Sequence, residues 1–473
     1  MNQNTPTIWW VRRDLRLTDN PTLNAALDAG GSVLPVFIWD DLEESLGAAP
    51  KWRLGEALKA FGAALEAKGS RLLLRRGDAL EVLREISAET GARQVFWSRL
   101  YTPDPQHRDT QIKASLKSDG IEAASYPGFL LFEPWTVKTK TGGFYKVYSP
   151  MWRAVRDLDV GTATPAPKQL PAPELWPRSA SLDSFQTAIA MNRGAEIVAP
   201  YANIGEAAAL DRLSVFSDSA IADYNAHRDI PSIDGTSRLS ENLALGEISP
   251  RTCWHAGHRA MIAGATGAET FLKELVWREF AYHLTHHTPH ILTSNWRPEW
   301  DGFSWDTDPQ NPRAIAWRQG RTGVPFVDAA MREMYVTGRM HNRGRMIVAS
   351  YLTKHLLCHW RIGQKWFEDC LIDWDPASNA MGWQWAAGSG PDAAPYFRVF
   401  NPETQLDKFD PKRAYVHRWI AEGQASPPKE ALSYFDAIPR SWQLSATDPY
   451  PNPIVSAAEG RKRALNAYEN RSF

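Results

Sequence analysis

The sequence predicts two domains of different class: an N-terminal α/β domain on a parallel sheet, and an all-α domain that takes up the C-terminal half. Three observations carry this. Short apolar strands alternate with amphipathic helical stretches up to about Ser125, a stretch rich in Pro, Ala and Ser runs on to about Pro200, and beyond Tyr201 the apolar spacing is helical almost throughout. At 473 residues the chain is also long for a single core. The expected division is 1–130, a connector at 131–200, and 201–473.

Taken in order, Thr7–Val11, Ser32–Trp39, Arg71–Arg75 and Gln94–Trp97 read as strands, with a shorter one near Ile121. Asn20–Ala29, Lys51–Lys68, Asp78–Thr90 and Pro105–Ser118 read as the helices between them. This alternation predicts a Rossmann-like parallel sheet with helices on both faces. The first strand runs into Arg12-Arg13-Asp14-Leu15-Arg16 instead of a GxGxxG turn, so no pyrophosphate cradle is expected there. Gly77-Asp78 reads as a turn and helix N-cap.

Composition narrows the function. At 43% hydrophobic and 23% charged, the chain is an ordinary globular one. Cys253, Cys358 and Cys370 are too few for a disulfide framework or an all-Cys iron–sulfur cluster, and no ligand pattern for a metal accompanies them. A reduced, cytoplasmic setting is expected. The four-residue apolar run at the N-terminus is followed by two arginines, unlike a signal peptide, and no stretch approaches the roughly 18 apolar residues of a membrane span. With a net charge of −1, any attraction to nucleic acid must be local. Of the 21 tryptophans, 11 lie between Trp254 and Trp385, a density for which packing is the default explanation.

Three clusters carry chemistry. On a helix over Thr270–His287, Phe271, Leu272, Leu275, Val276, Phe280 and Leu284 form an apolar arc, while Glu274, Trp277, Arg278 and Ala281 share the remainder. The plainest reading is an exposed face with a Glu274–Arg278 pair worth about 0.3–0.5 kcal/mol. A second helix is expected from Gly338 to His359, with Asn342, Arg345, Met346 and Ala349 at the same spacing. Seven Lys or Arg lie between Met331 and Trp366 against one acid, Glu333, and such a patch suits phosphate as well as a solvated face. Gly344 inside this helix predicts close approach of a neighbouring helix or ligand. In the third cluster, Asp373 and Asp375 lack further metal ligands, so Asp373 is expected to pair with Arg345.

The runs Val11–Asn20, Gly235–Ser240, Glu274–Phe280, Met340–Arg343, Trp383-Gln384-Trp385 and Asp392–Arg398 occur in this order over nearly the whole chain. Together they resemble the photolyase/cryptochrome family. Lys138–Phe144 and Ile347–Ser350 are most similar to bacterial class III cyclobutane pyrimidine dimer photolyases.

The resemblance implies FAD held between helices of the C-terminal domain. Tyr224, Thr236, Ser237, Arg238, Leu239 and Ser240 would cradle its phosphates, with Arg278 also at the cofactor. Arg345 and Asp373 would lie beside the flavin ring, Asp375 at the ribose, and Asn379 would face N5. The partner implied is UV-damaged DNA, its dimer flipped out between Trp277 and Trp385. Glu274 and Asn342 would be polar contacts and Met346 an adaptable apolar one; these three and Asn379 are the implied catalytic residues. Arg228, Arg343 and Gln405 would contact the surrounding DNA. Trp383, Trp360 and Trp305 match the family's electron path from the surface to oxidised flavin, with Trp300 competing for its outer end. The family also implies an antenna, most simply methenyltetrahydrofolate on the N-terminal domain, and a monomer. A signalling cryptochrome, a six-four photolyase and a flavin electron carrier without a DNA partner are the alternatives. Asn379, Asn342 after His341, and the 20 residues after Pro453 favour dimer repair.

Overall fold

A computed structural model of the chain describes residues 5–191 and 193–473. Five parallel strands, β1 (Thr7–Val11), β2 (Val33–Trp39), β3 (Leu73–Arg76), β4 (Gln94–Ser98) and β5 (Glu122–Tyr126), form a sheet in the order β3-β2-β1-β4-β5. Every residue of β1 and β2 is buried because both faces of the sheet are covered. Trp9, Val11, Phe37 and Trp39 pack on one side with Leu54, Leu58 and Phe61. Ile8, Trp10, Leu34 and Val36 pack on the other with Leu83, Ile86 and Leu116. This is the period-two alternation of a strand.

The crossovers are α1 (Pro21–Asp28), α2 (Ala48–Glu66), α3 (Ala79–Thr90) and α4 (Pro103–Ser118). Both α2 and α4 begin earlier than the sequence predicts. Pro50 and Pro105 are no barrier to this, because a proline in the first helical turn lacks only an N–H that needs no intrahelical partner there.

The segment after β1 is a knot of satisfied polar groups. Asp14 accepts from the Arg12 backbone N–H (2.8 Å), Trp9 Nε1 (3.2 Å) and Ser98 Oγ (2.7 Å). Buried Arg16 donates to the carbonyls of Gly246 (2.9 Å) and Gly128 (2.8 Å), and Asp19 accepts from Ser249 Oγ (2.5 Å) and Arg251 (2.8 Å). Arg53 of α2, fully buried, reaches Glu241 (2.9 Å) and Glu247 (2.5 Å). Arg16, Asp19 and Arg53 clamp the sheet domain to the helical domain, so the charged run that replaces a glycine-rich loop serves as the joint.

The connector is no slack tether. Its helix α5 (Tyr148–Val155) packs in the core of the helical domain, and farther on the backbone N–H groups of Val33 and Ala180 donate to Pro171 (2.7 Å) and Leu74 (2.8 Å) along the sheet domain. The helical domain contains α6 (Ala268–His287), α7 (Pro325–Thr337), α8 (Asn342–Ser350), α9 (Trp360–Cys370), α10 (Pro376–Ala387) and α11 (Ala457–Glu469), among further helices such as Pro250–Ile262 and shorter turns. Trp300, Trp305, Trp317, Trp360, Trp374, Trp383 and Trp419 share its largest apolar cluster.

One helix departs from expectation. The predicted Gly338–His359 helix is broken: Gly338, at φ +69°, terminates α7, and His341 caps α8 by accepting the Arg343 N–H at 3.1 Å. The rod then widens into a π-turn at Tyr351–His355 and ends before Leu357 at φ +53°. Gly344 does mark a close approach, since a Cβ there would stand 3.1 Å from that of Ala330 on α7. Among the described residues, no helix is long and apolar enough to cross a membrane, and no cluster of His, Cys, Asp and Glu could hold a metal.

Candidate functional site

A cavity of about 650 Å³ opens among α6, α8, α10 and the turn before Ser240. This volume is within the range of cofactor and ligand pockets. Tyr224, Arg228, Thr236, Ser237, Arg238, Leu239 and Ser240 line it on one side, with Glu274, Trp277 and Arg278 from α6. Asn342, Arg345, Met346, Asp373, Asp375, Asn379, Trp383 and Trp385 complete the set expected from the sequence. Arg343 and Gln405 lie outside the lining. Arg343 pairs with Asp229 at 2.5 Å and covers the Phe409 ring, on the helix Pro402–Phe409 that also carries Gln405.

One wall is built for an anion. Arg212 donates to the carbonyls of Thr236 (2.6 Å) and Ser237 (2.9 Å), and Asp234 holds both Arg212 and Arg238. With those carbonyls engaged, the hydroxyls of Thr236, Ser237 and Ser240 have no partner among the described residues. Arg238 sits at φ +52°, an uncommon conformation for a side chain of this size, which fixes the shape of the turn. Arg339 closes the wall and pairs with Glu241; burial, then repulsion from Arg238, draws its guanidinium down to about 10. Two like charges facing one cavity favour a polyanion between them. Arg339 was missed because it was assigned to a continuous helix, although it stands three residues before Asn342 in the basic run. Trp383 Nε1 is buried beside this cavity and unpartnered among the described residues.

The floor is equally ordered. Arg345 donates to both oxygens of Asp373 (2.7 and 3.0 Å) and to the Met340 carbonyl (2.9 Å). Asp375 caps α10 by accepting the Ser378 N–H (2.7 Å) and also accepts Tyr282 Oη–H (2.6 Å). Asn379 donates through Nδ2 to the Asp375 carbonyl (3.0 Å), which leaves its Oδ1 unengaged among the described residues. These contacts suit a planar heterocycle with N–H donors and a ribose.

The remaining wall presents rings and small polar heads. Trp277 is stacked from behind by Tyr148 of α5, with centroids 3.8 Å apart and planes within 5°, a contact the sequence did not signal. The expected Glu274–Arg278 pair is not made. Glu274 pairs with Arg228, while Arg278 donates to the Phe129 carbonyl (2.8 Å) and lies over the Phe129 ring. Longer reach to a buried carbonyl and an aromatic face outweighs a weak exposed pair. Asn342 is exposed, with its Nδ2 3.9 Å from Met346 Sδ. His341 is held neutral by burial, down to about 4.

Behind the cavity, Trp383 packs on Gly363, three residues along α9 from Trp360. Trp360 Nε1 donates to Asn295 (2.8 Å), and His359 bridges the rings of Trp360 and Trp305, at 5.5 and 5.4 Å. Trp305, expected at a surface, is only 6% exposed, because Trp300 and Phe303 cover it.

Comparison with known proteins agrees with this geometry. Residues 7–174 match the model described as DNA photolyase, and residues 271–470 match the FAD binding domain of DNA photolyase. The chain is 45% identical over 470 residues to the deoxyribodipyrimidine photo-lyase of Agrobacterium fabrum, covering 98% of this chain and 97% of that protein. The crystal structure of a bacterial class III photolyase from Agrobacterium tumefaciens superposes with a TM-score of 0.91 at 43% identity, over 99% of this chain and 98% of that one. An archaeal photolyase from Sulfolobus tokodaii, solved with two FAD molecules, gives 0.80 at 29% identity over 98% and 100%.

Proposed function

The chain belongs to the DNA photolyase family, and on that premise we propose that it splits cyclobutane pyrimidine dimers in UV-damaged DNA, with the residue roles that follow. A bound, reduced FAD supplies the light-driven electron that opens the dimer and takes it back, with no net redox change. The observation that carries this reading is the presence, in one cavity, of a cationic and hydroxyl-lined wall beside a ring-walled mouth.

Thr236, Ser237, Ser240, Arg238 and Arg339 would hold the cofactor's diphosphate, and Asp375 its ribose. Arg345 and Asp373 would flank the flavin ring, and Asn379 would present its carbonyl oxygen to N5. Tyr224, Leu239 and Arg278 would complete the cofactor's surroundings. Trp277 and Trp385 would sandwich the flipped dimer, at about 1–3 kcal/mol per stacked base. Glu274 and Asn342 would contact its polar edges and Met346 would fill the gap beside it. Arg228, Arg343 and Gln405 would bind flanking DNA. Trp383, Trp360 and Trp305 would refill an oxidised flavin.

Repair of a dimer-containing oligonucleotide by the chemically reduced holoprotein, in light and in darkness, tests the function. Repair is expected in light alone; dark repair, or none, would sink it. Asn379→Asp should shift the potential at which the flavin is reduced, and an unchanged reduction curve would remove Asn379 from N5.

We propose a separate place for an antenna. A second cavity of about 360 Å³, where α2 meets α7 and α9, is lined by Tyr335, Trp366 and Trp442 with Arg193 and Arg318. Such walls suit a planar anionic pigment, and methenyltetrahydrofolate is the proposed one. On α9, Trp366 faces this cavity and its neighbour Phe367 the larger one, so the two are separated by little more than a helix. Most of the lining belongs to the helical domain. Extraction and chromatography should yield a folate that Trp366→Ala no longer retains; FAD as the second pigment would replace the folate proposal. We also propose a cytoplasmic monomer, which a sedimentation measurement and cell fractionation would test.

A further inference from the structure

Four charged side chains alternate in sign along a row that starts in the large cavity and ends outside it. Glu274 on α6 and Arg228 both line the cavity and pair with each other. Asp229, next in sequence, has its Oδ1 3.9 Å from Arg228 Nε and its Oδ2 2.5 Å from Arg343 Nη2 on α8. The Arg343 guanidinium carbon lies 4.2 Å from the centre of the Phe409 ring, which holds that end of the row in place. The four side chains are between 14% and 33% exposed, so burial locks none of them to its partner, and pairs of this kind are weak enough to exchange. His341 feels Asp229, Arg343 and Arg228, but burial keeps it neutral and it adds no charge near neutral pH.

On the reading above, Arg228 and Arg343 bind DNA beside the dimer, and Glu274 contacts the dimer itself. Asp229 has no part in that scheme, and an acid among cations that meet phosphate opposes binding. Its position gives it a use. Two carboxylates match two guanidinia in the free protein, so a DNA backbone arriving alone meets a neutral row and must displace a carboxylate to gain a cation. A flipped dimer brings something more. Its ring N–H groups hydrogen-bond Glu274 from within the cavity and draw that carboxylate off Arg228. One acid, Asp229, is then shared between two guanidinia, and a phosphate completes the row.

We propose that Asp229 is a specificity-determining residue that keeps Arg228 and Arg343 paired within the protein until a dimer engages Glu274. Undamaged duplex offers phosphates without a flipped base and bears the exchange unaided, so the wrong partner is penalised more than the right one. The proposal rests on the dimer-repair reading of Glu274, Arg228 and Arg343 and adds the coupling between them.

The test uses the FAD-loaded protein in the dark, with fluorescence anisotropy on a dimer-containing duplex and its undamaged twin across a salt series. Wild type should favour the damaged duplex and show on it a steeper fall of log affinity with log salt, by about 0.9 for one additional phosphate contact. Asp229→Asn keeps the shape and removes the charge. It should bind undamaged duplex several-fold tighter, with the steeper salt dependence, and change little on the damaged one, so discrimination falls several-fold. A folding defect would move affinity the other way. Asp229→Glu returns the carboxylate and should restore discrimination. Weaker binding of both duplexes by Asp229→Asn would make the acid a mere support for Arg343, and equal tightening of both would make it a general repellent; either result overturns the proposal. If wild type shows no preference for the dimer, the repair reading falls and the coupling with it. If the preference is present and Asp229→Asn leaves it unchanged, only Asp229 falls.

Discussion

Two charged segments, Arg12–Asn20 and Gly235–Ser240, stand out equally in the sequence but do opposite work. In the first, Asp14 is satisfied inside the sheet domain, while Arg16 and Asp19 meet backbone and side-chain partners across the joint between domains. In the second, Arg212 takes the carbonyls and leaves the hydroxyls and guanidinia facing a cavity. The contrast separates polar groups that are used up in holding the fold, as buried ones must be, from polar groups that face an open cavity and are free to meet a ligand.

Substitutions on the two sides should therefore part company. The largest effect is expected at the joint, where Arg53→Ala takes the cation from buried Glu247 and leaves Glu241 with Arg339 alone, and should cost about 3–5 kcal/mol of stability. Urea unfolding measures it, and a loss below about 1 kcal/mol would mean the pairs are not what holds the domains. Ser249→Ala removes a hydrogen bond to buried Asp19, worth about 1.5–3 kcal/mol by the same assay, with flavin affinity unchanged. On the ligand side, Trp277→Ala should weaken binding of dimer-containing DNA by about 1–3 kcal/mol, read by fluorescence anisotropy in the dark, without affecting undamaged DNA as much. Thr236→Ala should reduce flavin affinity by about 0.5–1.5 kcal/mol and leave unfolding of the flavin-free protein alone; the reverse outcome would move Thr236 to the structural side.

The smallest effect near neutrality comes from pH. Burial lowers His283 and His355 to about 4 in the folded protein, below their ordinary value near 6.5. The unfolded chain takes up these protons first, so stability is full above about 6.5 and declines as pH falls towards 4. Urea midpoints at several pH values should show the slope, and His355→Leu should flatten it.

Much of this was legible in the residues. β1 and β2 are continuous apolar runs because both faces are buried, and that signal survives without a structure. Arg345 with Asp373 followed from complementary charge in a stretch with few competitors. The misreadings share a cause in groups whose partner is far along the chain. Arg278 abandons its i−4 acid for a carbonyl 149 residues away, and Arg339 leaves the helical register because Gly338 turns left-handed. Tyr148 lies in a Pro-rich connector where no periodicity announces a contact with α6. Local spacing reports faces of single elements, and it is silent on which faces meet.

The stack of Tyr148 on Trp277 has a consequence for binding. With one face of the indole covered, the site offers a single open face, and its tilt is set before any base arrives. The conformational entropy of orienting that wall is lost when the chain folds, not when DNA binds. A base of the flipped dimer would then complete a three-layer stack already two-thirds assembled.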